Sequence, residues 1–160
     1  MSEFESQHSE DKIEKMRQFS TFFLANRMYG IDVMQVQEIV KPLQMTPIPL
    51  APNYVYGLIN LRGQIATAIG LREMFGLESI SPDQMMNVIG HVDNTLVSFL
   101  VDEIGDVIDV NSELYEPTPE TVPLEVRQFI DGVYKIPGQL LSILNLENIM
   151  KHLNSIQKNK

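Results

Sequence analysis

The stretch Gly57–Leu71 reads GLINLRGQIATAIGL. Apolar residues alternate through it and two glycines punctuate it, the pattern of a β-hairpin. Period-two alternation puts Leu58, Asn60 and Arg62 on one face and Ile59 and Leu61 on the other. Arg62 places a full charge at the tip, directly before Gly63, on the face expected to point outward.

Sliding the chain by 75 residues lays YVYGLINLRGQIATAIGLREMF (54–75) on FIDGVYKIPGQLLSILNLENIM (129–150) without a gap. Gly57/Gly132, Gly63/Gly138, Gln64/Gln139 and Leu71/Leu146 are identical, and most apolar positions coincide. Such self-similarity marks a duplicated unit. Pro137 stands where Arg62 does, so the hairpin does not require arginine there; if only the turn mattered, Arg62→Pro should be tolerated in assembly with partners.

Working outward, short apolar runs alternate with turn signals, and five strands fit each half of the chain. Proline-dense loops, KPLQMTPIPLAP and EPTPETVP, precede each copy of the repeat. The expected fold is all-β: two SH3-like five-stranded barrels packed around a shared hydrophobic core, with a C-terminal helix. The first barrel is expected at about 18–80 and the second at about 81–145. Neither unit of roughly 65 residues buries enough surface to be stable alone. LREMFG reads as a short helix stopped by Gly76. Leu146, Ile149, Met150, Leu153 and Ile156 recur at helical spacing after Asn145, a plausible N-cap, which predicts a helix over 146–157. Residues 1–17 are polar and acid-rich, too poor in apolar positions to offset the entropy of ordering, and read as a flexible tail.

Composition narrows the function. The chain has 160 residues and a net charge of −9, from 12 Lys and Arg against 21 Asp and Glu, a field that repels nucleic acid and anionic lipid. It has no cysteine, which removes thiol nucleophiles and zinc thiolates. No stretch approaches the roughly 20 apolar residues of a membrane span, and the N-terminus lacks the apolar core of a signal peptide, so the chain reads as soluble and intracellular. His8, His91 and His152 are isolated, no serine sits in a nucleophile elbow, and no phosphate-binding glycine loop is present. Asp102, Glu103, Asp106 and Asp109 cluster without calcium-loop spacing and read as solvated strand edges. No metal or cofactor is expected.

The strand VMQVQEIV has no cleanly polar face: it must show either Val36 and Val40 or Ile39 to solvent. That makes it a candidate contact surface with Glu38 as polar anchor. Glu38 and Arg62 could equally form a surface ion pair of little energetic weight. A small-ligand site at the seam between the barrels and an enzyme with an unrecognised site are the competing readings.

YGIDVMQVQEI, TPIPLAPNYVYGLINLRGQI, VDEIGDVIDV and FIDGVYKIPGQLLSILNLENIM occur in order and together resemble the signature segments of the CheW family, over residues 18–153. The resemblance implies a non-catalytic adaptor that couples the cytoplasmic tips of methyl-accepting chemotaxis receptors to the regulatory domain of the histidine kinase CheA, in arrays at the inner face of the membrane. It implies partner contact at Val36 and Glu38, with Val88 starting a strand on the receptor-facing side. Arg62 within NLRG is the functional arginine, Asn60 belongs to the same motif, and Gly57 and Gly63 are backbone-shaping glycines. The loop Glu116–Val122 is implied as part of an outer kinase contact. Three positions depart from the family: Thr67 and Gly70 stand where proline and aspartate are frequent, and Thr121 where some relatives carry a large apolar residue. The pathway served could control an output other than motility.

Overall fold

The computed structural model describes residues 15–158, with side chains through residue 155. All ten expected strands form: β1 Met16–Leu24, β2 Arg27–Asp32, β3 Val36–Val40, β4 Val55–Leu61, β5 Gln64–Gly70, β6 Met86–Val92, β7 Thr95–Val101, β8 Glu103–Asn111, β10 Ile130–Ile136 and β11 Gln139–Leu144. A two-residue strand, β9 Tyr115–Glu116, is added in the second proline-rich region. The helices are α1 Leu71–Met74, α2 Leu124–Arg127 and α3 Leu146–Lys158.

The tail is shorter than its composition suggests. β1 begins at Met16, and Arg17 pairs with Asp32 at 2.9 Å while its guanidinium lies over the Phe19 ring. These polar side chains sit at a sheet end, where they keep contact with water. The rest of the expected tail, residues 1–14, lies outside the described residues.

The strands form two sheets, ordered β8-β1-β2-β11-β10-β9 and β3-β6-β7-β5-β4. Sheet membership does not divide the chain at residues 80 and 81 as expected. The hairpin β1–β2 joins β8, β10 and β11 from the other half, and β6–β7 joins β3, β4 and β5. Each sheet therefore takes its first hairpin from one repeat and the rest of its strands from the other, three in the five-stranded sheet and four, with β9 at the edge, in the six-stranded one. The connectors enforce this. In the sheet it would otherwise complete, β8 would start where β7 starts, a return of about 20 Å for a strand of this length. One residue, Asp102, separates β7 from β8. A single 3-10 turn, Val33–Gln35, joins β2 to β3 under the same constraint.

The duplication is visible bond by bond. Val55/Gly57 and Ile130/Gly132 carry register shifts at equivalent positions. β5 pairs parallel with β7 through Thr67↔Val97, and β11 with β2 through Ser142↔Tyr29. Gly70 N–H donates to Tyr54 O at 2.7 Å and Asn145 N–H to Phe129 O at 2.8 Å. A Cβ on Gly57 would stand 2.4 Å from Thr46 O, and one on Gly132 would stand 2.2 Å from the Tyr115 ring. Both glycines thus let a crossing segment lie directly on the hairpin.

The main core draws on both repeats, with Phe22, Tyr29, Phe75, Phe99 and Phe129 packed against Leu146, Ile149 and Leu153 of α3. Burying three large residues of α3 contributes several kcal/mol in order of magnitude. Asn145 caps this helix, its side chain accepting from Asn148 N–H at 3.0 Å. α1 is the shortened counterpart: Gly76 at φ +74 donates to Glu73 O and Leu77 to Arg72 O, the Schellman arrangement that ends a helix. No helix among the described residues is long and apolar enough to cross a membrane.

Candidate functional site

The β4–β5 turn is built from two residues at positive φ, Arg62 at +53 and Gly63 at +92. Two such residues match the twist of the flanking strands, as in a type I′ hairpin. Asn60 supports the turn, its side-chain oxygen accepting from Gly63 N–H at 2.8 Å. Arginine is an unfavourable choice here, because an L-side chain in this region costs roughly 1 kcal/mol or more. The twin turn differs. Gly138 is at φ +82, but Pro137 is locked near −65° by its ring and belongs to a type II geometry. Proline therefore does not fit the Arg62 turn as it fits the twin: the positions are equivalent in sequence and different in backbone.

From this turn the Arg62 guanidinium donates to the Glu38 carboxylate on β3. β3 and β4 are the two outer strands of their sheet, so the contact shows that the sheet curls until its edges approach, consistent with a barrel. Arg62 is 73% exposed and Glu38 only 23%. An ion pair this open is worth about 1 kcal/mol or less. Its consequence is geometric: Glu38 fixes the direction of a guanidinium whose other donors face solvent.

The remaining expected positions separate by burial. On β3, Gln37 and Ile39 are the exposed residues, while Val36 is half-buried against the main core. Val88 is 1% exposed and presents no side chain to a partner, a correction to its expected contact role. β6 lies between β3 and β7 and is covered on both faces, so nearly every residue of its first part is buried, and Val88 supports β3 from behind. Gly57 is buried and shapes the backbone, as the clash that a Cβ there would make with the Thr46 carbonyl shows. Val122 is half-buried on the other sheet's side, its carbonyl accepting from Arg127 at 2.9 Å. The structure thus brings Glu38, Asn60, Arg62 and Gly63 together, and leaves Val122 apart from them.

Asp102 is no solvated edge residue. Its carboxylate takes two bonds from Arg72, at 2.7 and 2.6 Å, and one from Ala25 N–H at 2.8 Å. Burial acts to raise its pKa, but the Arg72 and Ala25 hydrogen bonds and the Arg72 charge outweigh it and hold the carboxyl below the usual range. This clamp ties α1 to the β1–β2 turn and the β7–β8 corner. Its signal was the arginine that follows Leu71, which only pairing in space connects to Asp102. Tyr56, beside Glu73, is also perturbed, its phenol pushed up to about 12 by burial and by that carboxylate.

A curled sheet joined to its twin by exchanged hairpins, with NLRG at an exposed turn, can be set beside known proteins. The family model described as CheW-like domain matches residues 18–154. The chain belongs to the CheW family. It is 34% identical over 140 residues to the chemotaxis protein CheW of Helicobacter pylori, covering 86% of this chain and 84% of that one. It is 31% identical over 131 residues to the chemotaxis protein CheW of Bacillus subtilis, covering 81% and 83%. The crystal structure of the scaffolding protein TtCheW from Thermoanaerobacter tengcongensis aligns with a TM-score of 0.73 at 29% identity, covering 81% of this chain and 88% of that one. The family match thus spans nearly all the described residues.

Proposed function

We propose that this chain is a non-catalytic chemotaxis adaptor that couples the cytoplasmic tips of methyl-accepting receptors to the regulatory domain of the histidine kinase CheA. Its place is the cytoplasm, at receptor arrays on the inner face of the membrane, with no nucleic acid partner, no cofactor and no insertion into lipid. Family membership supports the adaptor role. The observation that carries the site is Arg62: an exposed guanidinium kept on an unfavourable turn and aimed by Glu38, where the twin hairpin manages with proline. A positioned fork of donors suits an interface that orients carbonyls or a carboxylate. The Glu116–Val122 loop supplies the outer contact with the kinase.

The test is assembly from purified parts: receptor-containing vesicles, CheA and this chain, read by co-sedimentation and by kinase activity. Arg62→Lys keeps the charge and loses the fork. It should retain circular dichroism and melting temperature yet form at most a tenth of the ternary complex. Full receptor-dependent kinase activation by folded Arg62→Lys and Arg62→Ala proteins would sink the assignment.

A further inference from the structure

The duplication made one hollow twice, and only one copy is covered by a long helix. In the first copy, Ala51, Val55 and Thr67 line a hollow of about 150 Å³ that Met150, Leu153 and Asn154 of α3 cover. The same positions in the second copy, Val126, Ile130 and Ser142, line a hollow of about 380 Å³. The helix that would cover it is α1, which ends at Met74 and turns away at Gly76. Phe75 stands there in place of Met150 and Leu77 lines the hollow beyond the turn, but α1 has no further helical turn to supply counterparts of Leu153 and Asn154. The open hollow continues past Val122 into a second one of about 420 Å³, bounded by Leu140 and Pro119.

Charge distinguishes the two copies. The strand registers place Arg27 where the roofed hollow has Thr95. Arg27 is exposed and lines both open hollows. The other four arginines are engaged, Arg17 by Asp32, Arg62 by Glu38, Arg72 by Asp102, and Arg127 by the carbonyls of Glu120 and Val122. The Arg27 side chain makes no hydrogen bond or ion pair with the described residues. In a chain of net charge −9, a guanidinium left without an acid beside an apolar groove marks a place for a negative group from elsewhere.

We propose that this groove seats an amphipathic helix of a partner protein, lying where an extension of α1 would lie. The roofed copy specifies its face: an apolar residue at the place of Leu153, followed directly by an acidic residue at the place of Asn154, against Arg27. The proposal goes beyond the adaptor reading and does not rest on Arg62, which belongs to the other sheet. Val122 is common to this groove and to the loop proposed for the outer kinase contact, so the test uses an isolated peptide.

The probe is a fluorescent peptide of residues 146–158 carrying Asn154→Asp, with a lactam between Glu147 and Lys151 because 13 residues alone are marginally helical. Anisotropy with the full chain should show saturable binding, and amide shifts should cluster at Val122, Val126 and Ser142. Arg27→Glu, at an exposed position, should keep the melting temperature and weaken binding at least tenfold. A peptide with Asn154→Lys should recover that loss. Absence of saturable binding, equal affinity for Arg27→Glu, or shifts confined to other surfaces would overturn the proposal. So would acetate alone reproducing the peptide's full pattern of shifts, which would make the site one for a free anion.

Discussion

Arg62 and Arg72 show how one residue type serves two purposes in one chain. Arg62 is exposed and its pair with Glu38 is weak, so its substitution should register in assembly and hardly at all in folding. Asparagine tolerates the left-handed region better than arginine. Arg62→Asn should therefore stay within about 0.5 kcal/mol of the unaltered chain in urea unfolding, relief of the turn offsetting loss of the pair. Arg62→Pro should cost more than Asn does, since proline cannot reach φ +53. Arg72 is 14% exposed and bound twice to Asp102, so its loss leaves a sheltered carboxylate unpaired. Arg72→Ala should cost about 3 kcal/mol. The Asp102 carboxyl titrates below its usual range, so the clamp's stabilisation is present above the unfolded carboxyl's pKa and is lost as pH falls through the folded one. Asp102→Asn should accordingly be well below the unaltered chain in stability at pH 7. The two curves should converge below about pH 4. A constant gap from pH 7 to pH 3 would assign the clamp's effect to shape and not to charge.

Among the elements, α3 is the one whose amphipathic pattern was most legible, although the side chain of Ile156, the last position of the expected stripe, lies outside those described. Leu146, Ile149 and Leu153 are buried at 1%, 0% and 7%, and Asn145 caps the first turn as its position suggested. Ile149→Asp puts a charge against the core that both repeats share and should cost several kcal/mol. Asn145→Ala removes one cap bond and should cost about 1 kcal/mol in thermal unfolding. Similar effects from the two would mean that the helix is held by its end and not by its face. β3 and β6 were less legible. Alternation on VQEIV left the outward face open, and packing chose Gln37 and Ile39 for solvent. On β6 alternation is absent because both faces are covered, and Val88 reads as a surface candidate only until its neighbours are known.

For the whole chain, the exchange of hairpins between repeats makes each half incomplete. Fragments 1–80 and 81–160, cut in the exposed segment around Glu78 and Ser81, each lack the strands that flank their first hairpin. Each should be largely unfolded alone by circular dichroism. An equimolar mixture should recover the native spectrum and a cooperative melt. A fragment 1–80 that folds by itself would show that β1–β2 can pack on its own β3, against the connector argument made above.

What the amino-acid order settled alone is local: hairpins, the helix stop at Gly76, the cap at Asn145 and the repeat depend on neighbours within a few residues. Arg62 could be singled out because its twin position holds proline, a comparison internal to the chain. Sheet membership, the burial of Val88, the left-handed backbone of Arg62, the Arg72–Asp102 clamp and the unpaired Arg27 were decided only in three dimensions. Strand pairing joins segments far apart in the chain, so alternation within a strand carries no record of its partner. The hint lay in the connectors: one residue between β7 and β8 cannot lead the chain back along a strand, and it must cross to the other sheet.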